Sequence, residues 1–203
     1  MQDQDKLLFQ RQIPEFGVDY CYQLWKTFDF KLKISKKRNS KLGDYRYDPS
    51  TKSHAISVNH NLNKYAFAIT YIHEVAHLIT QIEQGRGVLP HGIQWKQNFK
   101  KLMLPLLNEK MFPMDILSPL ALHMKNPKAT STADERLFKA LKKYDDTSEI
   151  LLSEIDSGGK FLFNKKVYRK IEVRRTRSLC LQLETNRQYL ISETAPIHAF
   201  KND

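Results

Sequence analysis

The spacing of apolar positions along the chain changes several times, and each change marks an element. Over residues 15–28, Val18, Tyr22 and Trp25 recur at intervals of three and four, with Cys21 and Leu24 beside them, which predicts a helix. Phe30, Leu32 and Ile34 then alternate with Lys31 and Lys33, the period of a strand with one buried face. After the basic turn Lys36-Lys37-Arg38-Asn39-Ser40-Lys41, two more strands are expected at Gly43–Tyr47 and Ala55–Val58. Asp48-Pro49-Ser50 turns the chain between them. Together they predict a small antiparallel sheet.

From about Asn61 to Glu83 the pattern is that of a long helix, with Asn61 or Asn63 as its cap and Gly85 at its end. Most of its faces are apolar: Phe67, Ala68, Ile69, Ile72, Val75, Ala76, Leu78 and Ile79. One stripe is polar, made by Thr70, His73, Glu74, His77 and Gln81. Their spacing puts them on one helical face. A buried helix with such a stripe is a scaffold for reactive groups. The loop Gly85–Pro90 leads to a further helix beginning near His91, with Trp95, Phe99, Leu102, Met103 and Leu106 on its apolar face.

Beyond it the pattern weakens. Residues 109–132 carry three prolines and read as a connection with a short helix. Ala133–Tyr144 reads as a helix capped by Thr132. Ser157-Gly158-Gly159 opens a stretch in which Val167, Ile171 and Val173, then Leu179, Leu181 and Leu183, alternate with polar residues, and Tyr189–Ser192 closes it. That is a three- or four-stranded antiparallel meander. The expected architecture is α+β: one domain over 1–130, and over 131–203 a helix followed by a small β-meander.

One motif in the polar stripe carries chemistry. His73-Glu74-Val75-Ala76-His77 is a His-Glu-x-x-His motif. Helix positions i and i+4 point the same way, so two imidazoles can reach one metal ion, while Glu74 is beside them without occupying the metal. The expected reaction is hydrolysis of a peptide bond by a zinc-bound water that Glu74 activates as general base. A catalytic zinc needs a third protein ligand. Thr80 and Glu83 stand where a His-Glu-x-x-His-x-x-Gly-x-x-His pattern needs glycine and histidine. Glu83 falls well off the ligand face, and Glu109 is remote. His91, after a short loop, is the better candidate. His54, His60, His123 and His198 have no motif around them and read as ordinary.

His73-Glu74-x-x-His77 followed by His91-Gly92-x-x-Trp95-Lys96 resembles the SprT-like family, which includes bacterial SprT and the eukaryotic Spartan protease. The resemblance covers roughly residues 15–110. It implies a minimal zincin-like metallopeptidase with His73, His77 and His91 as ligands of one zinc ion and Glu74 as the catalytic acid–base. In Spartan-like members the substrate is protein attached to DNA, a repair setting, and DNA binding promotes cleavage. Many members end in a four-cysteine zinc ribbon. This chain has two cysteines, and only Cys180 lies in the C-terminal β region, so that site cannot form.

Charge adds a partner class. The formal net charge of +11 on 203 residues favours polyanions. Positive residues concentrate at Lys36, Lys37 and Arg38, and again at Lys166, Arg169, Arg174, Arg175 and Arg177, which are the expected DNA or RNA contacts. Three functions follow: a peptidase acting on nucleic-acid-bound protein, a nucleic-acid-binding module with a structural zinc, and a peptidase indifferent to nucleic acid. No apolar run has the length of a membrane span, and the polar start Met1–Lys6 lacks a signal-peptide layout, so a cytoplasmic location is expected.

Overall fold

A computed structural model describes residues 4–38, 41–85, 87–130, 134–146 and 150–199. The chain forms two compact units, residues 1–145 and 146–203.

The first unit is built around helix α3 (Lys64–Gln84), whose N-terminus is capped as expected by Asn63: its side-chain oxygen accepts the Tyr65 and Ala66 N–H groups at 3.1 and 2.9 Å. Gly85 ends it with φ 71°, a conformation glycine adopts without strain. Helices α1 (Gln4–Gln12), α2 (Glu15–Phe28), α4 (Ile93–Met103), α5 (Met114–Lys125) and α6 (Glu135–Lys142) bury residues in the same core as α3. Helix α1 has no counterpart in the periodicity because just one of its residues, Phe9, is buried. Phe9 is wedged between the rings of Tyr22, Trp25 and Tyr71, with centroids 5.6–5.9 Å away. The connection after α4 holds a full three-turn helix, α5, longer than its weak pattern implies.

Strands β1 (Lys31–Ser35), β2 (Gly43–Asp48) and β3 (Ser53–Asn59) form a sheet in the order β1-β3-β2. It is mixed where an antiparallel one was expected: β2 pairs antiparallel with β3, but β1 runs parallel to it. Alternation reports which face is buried and says nothing of strand direction. The connection from β1 crosses the end of β3, and Asn59 fastens it there. The Asn59 backbone N–H donates to Leu42 O (2.9 Å), and its side-chain amide donates to the carbonyls of Arg38 (3.2 Å) and Lys41 (2.9 Å). This arrangement leaves β2 as an edge strand.

Helix α6 belongs to the first unit, so the division falls at residue 145 and not at 130. Its Leu137, Ala140 and Leu141 are buried in the same core as Phe67, Ile72 and Phe99, a tertiary fact the local pattern does not carry. Asp134 caps it, accepting the Leu137 N–H at 3.3 Å, whereas Thr132 lies outside the described residues.

The second unit is a six-stranded antiparallel sheet of β4 (Ile150–Leu151), β5 (Lys160–Phe163), β6 (Lys166–Arg174), β7 (Arg177–Gln182), β8 (Gln188–Ser192) and β9 (Pro196–Ala199), in the order β4-β9-β5-β6-β7-β8. Its two extra strands, β4 and β9, are too short to show a period. Its buried face is also unlike the apolar alternation. Tyr168, Lys170, Ser178, Cys180 and Gln182 point inward, while Ile171 and Val173 are exposed. A β-bulge between Lys170 and Glu172 shifts the register of β6. Lys170, 2% exposed, donates to Glu193 Oε2 (3.2 Å) and to Leu152 O (2.9 Å). Glu193 Oε1 in turn accepts from Ser178 Oγ at 2.6 Å. A buried ion pair fastens this sheet.

Candidate metal centre

The polar stripe of α3 opens on a cleft of about 700 Å³. Its walls are α3, the edge strand β2 with Lys41 and Leu42, the loop Gly87–Pro90, and part of α5. His73 and His77 project from successive turns of α3. His91 reaches them from the turn before α4, which starts two residues on, at Ile93. The Nε2 atoms of the three rings lie 3.0–3.2 Å apart. Three neutral imidazoles cannot each donate to the others, so this convergence calls for a cation. Four-coordinate geometry with metal–nitrogen distances near 2.05 Å spaces ligand nitrogens about 3.3 Å apart, close to the observed set. The three histidines form a group that could hold a metal ion, and they are the one such group among the described residues.

The turn that presents His91 is strained. Its φ is +60°, in the left-handed region, and Gly92 follows with its N–H on Leu89 O at 2.9 Å. A Cβ on Gly92 would press on that same carbonyl. Beneath the three rings lies Trp95, buried and stacked on Phe99, with its centroid 4.6 Å from His73, 4.6 Å from His91 and 5.3 Å from His77. Trp95 thus fixes all three ring planes. Trp95→Leu is expected to weaken metal binding about 10- to 100-fold with the fold retained, as measured by chelator competition.

Glu74 is 6% exposed and sits against the edge strand. A Cβ at Gly43 would collide with its carboxylate, so only glycine lets β2 come this near. Burial, and then the Asp44 carboxylate, push the Glu74 carboxyl up to about 8, while Arg38, the Tyr45 N–H and Lys41 pull the other way.

The histidines shift oppositely. Burial and then the neighbouring rings push His73 down to about 2 and His77 to about 4, and burial lowers His91. Protons therefore compete poorly for this group. Three imidazoles titrating near 6.5 would lose about a thousandfold in metal affinity between pH 7.5 and 5.5. The loss expected here is about tenfold at most. Calorimetry on Glu74→Gln, which removes the neighbouring carboxyl's titration, measures it.

Residues 5–112, more than half of the chain, match the model of the SprT-like family. The chain belongs to the SprT-like family. Searches of curated proteins and of solved structures return no match. Membership accounts for the α+β architecture and for the histidine group, and it hints at metallopeptidase activity. The rest of the SprT-like chain's sequence candidates divide. Glu83 does not join the group; it accepts from Asn98 at 2.9 Å. Arg38 is engaged with Asn59 and Ser57 at 2.8 and 3.0 Å, so it braces the β1–β2 connection. Lys36, Lys37, Lys166, Arg169, Arg174, Arg175 and Arg177 are exposed, whereas Lys170 is withdrawn into its ion pair. Two cleft residues escaped sequence reading, Gly43 and His123. Neither has a local pattern; each is recognisable only by what faces it. No helix among the described residues is long and apolar enough to cross a membrane.

Proposed function

We propose that this protein is a zinc-dependent endopeptidase acting on proteins bound or crosslinked to DNA, with His73, His77 and His91 as zinc ligands and Glu74 as general base. One observation carries the reading: three imidazole nitrogens converge beside a buried carboxylate in an open cleft. A purely structural zinc needs no such carboxylate and closes its fourth position. Bound zinc would supply Lewis acidity and lower the pKa of a nearby water. Glu74 then takes a proton from the attacking water and returns it to the leaving amine. Tyr45 N–H and the Gly43 approach hold its carboxylate in place. The outer edge of β2 offers main-chain groups to an extended peptide. In this reading the first unit is the peptidase, and residues 146–203 are a ribbon-like module without metal.

The DNA part of the reading is supported by the β6–β7 hairpin. Arg174 and Arg177 face each other across the ladder, with Arg175 in the turn. Glu172 pairs with Arg174 at 2.7 Å, and the exposed Arg175 and Arg177 beside them leave the hairpin tip net positive, which favours a polyanion as partner. The same hairpin favours the second reading, a nucleic-acid-binding module with a structural zinc.

The test is cleavage of a DNA-bound protein by zinc-loaded and chelator-stripped protein, with and without DNA. Cleavage that needs zinc and rises with DNA supports the proposal. Zinc-dependent cleavage indifferent to DNA removes the DNA part, and DNA binding by a folded, zinc-loaded protein that cleaves nothing moves the assignment to the binding module. Arg174→Glu with Arg175→Glu and Arg177→Glu should flatten the dependence of log affinity on log salt by about two to three units.

A further inference from the structure

The cleft contains a fourth histidine outside the metal group. His123 is on the last turn of α5 and lines the same cavity as Glu74 and the three histidines. It is 4% exposed. Its Nδ1 faces Asp134 Oδ2 at 3.3 Å, and the other oxygen of Asp134 caps α6 through the Leu137 N–H. The carboxylate is therefore held from two sides, and it fixes the plane of the imidazole.

That partner also decides where the ring's proton resides. An ionised carboxylate only accepts, so Nδ1 carries the hydrogen and, in the neutral ring, Nε2 is left as an acceptor. Burial lowers the proton affinity of His123 more than Asp134 raises it, which keeps the ring neutral. His123 lines the cleft and its Nδ1 is taken by Asp134, so Nε2 is the ring nitrogen left for a ligand there. A peptide entering the cleft brings main-chain N–H groups that lose water and need acceptors.

We propose that His123 is a substrate-binding residue: its Nε2 accepts a hydrogen bond from a main-chain N–H of the peptide in the cleft, and Asp134 is the positioning residue that sets the acceptor tautomer. The inference rests on the peptidase reading. A contact of this kind is made in the ground state and kept in the transition state, so its loss raises KM and leaves kcat nearly unchanged.

The experiment compares zinc-loaded wild type, His123→Ala and Asp134→Asn on one fluorogenic, unstructured peptide, with zinc content measured for each. His123→Ala should raise KM about 5- to 20-fold, the worth of one hydrogen bond to an otherwise unsatisfied N–H. Asp134→Asn is the sharper variant. Asparagine still caps α6, so the fold is kept. Its amide, however, can donate to Nδ1 and turn Nε2 into a donor that faces the substrate N–H. KM should rise at least as far as in His123→Ala. Unchanged KM in both variants overturns the proposal, as does a fall in kcat at constant KM, which would mark a contact made only in the transition state. Affinity for the same peptide is read in parallel by anisotropy in a Glu74→Gln background. A His123-dependent affinity there, with a wild type that cleaves nothing, sinks the peptidase reading and sustains this one; an affinity indifferent to His123 overturns it.

Discussion

Replacing Glu74 by glutamine is expected to abolish peptidase activity while leaving metal bound. Glutamine keeps the volume that fits against Gly43, and its side-chain oxygen can still accept the Tyr45 N–H. What disappears is the group that moves the proton. General acid–base catalysis contributes about 10²- to 10⁴-fold, and in the proposed mechanism one side chain serves both proton transfers, so kcat should fall by about a thousandfold or more. Zinc stoichiometry, measured on the same samples, should stay at one per chain. The setting of Glu74 suits the task. In the metal-free protein its carboxyl is pushed up to about 8, and a cation in the adjacent histidine group opposes that shift. A metal held there would therefore favour the ionised form that a general base needs. Activity that survives in Glu74→Gln would mean that the base lies elsewhere and would remove the main support for the peptidase assignment.

The second large effect concerns stability. Glu193→Ala is expected to destabilise the C-terminal unit by about 3–5 kcal/mol, since it leaves the Lys170 ammonium buried without its charge partner. A unit of this size has a net stability of about the same magnitude, so the sheet should unfold near room temperature. Lys170→Met combined with Glu193→Gln should restore a large part of the loss. No charge is then left inside, and the side-chain amide introduced by Glu193→Gln can still accept from Ser178. Both tryptophans, Trp25 and Trp95, lie in the first unit, so indole fluorescence does not report this transition. Hydrogen exchange at the amides of β6 and β7 does: protection should collapse in Glu193→Ala and return in the double variant. Unchanged protection in Glu193→Ala would show that the ion pair contributes nothing net.

Much of the candidate site is legible in the chain itself. The Asn63 cap, the Gly85 stop and the polar stripe on α3 all follow from periodicity and capping chemistry within one helix. His73, Glu74 and His77 are legible for the same reason, because i, i+4 spacing places two side chains together whatever the rest of the chain does. His91 is reachable through its pairing with Trp95, four residues on. The basic clusters are visible as composition, and most of them proved to be exposed.

Other features depend on residues distant in sequence. Strand alternation is the same for parallel and antiparallel partners, so the parallel pairing of β1 with β3 became visible only with Asn59 holding the connection across the end of β3. Lys170 reads as one more cation in a basic run until Glu193 is found opposite it, 23 residues away. His123 reads as an ordinary histidine until α5 sets it in the cleft and the start of α6 brings Asp134 to its Nδ1. Local pattern and spacing were enough for the long helix and its polar stripe, and the paired motifs carried the resemblance to the family. How strands pair, which charges are buried and which groups complete the cleft came from the folded chain alone. A helix fixes its neighbours three and four residues apart through its own backbone, whereas a sheet or a cleft joins groups whose separation along the chain leaves no local trace.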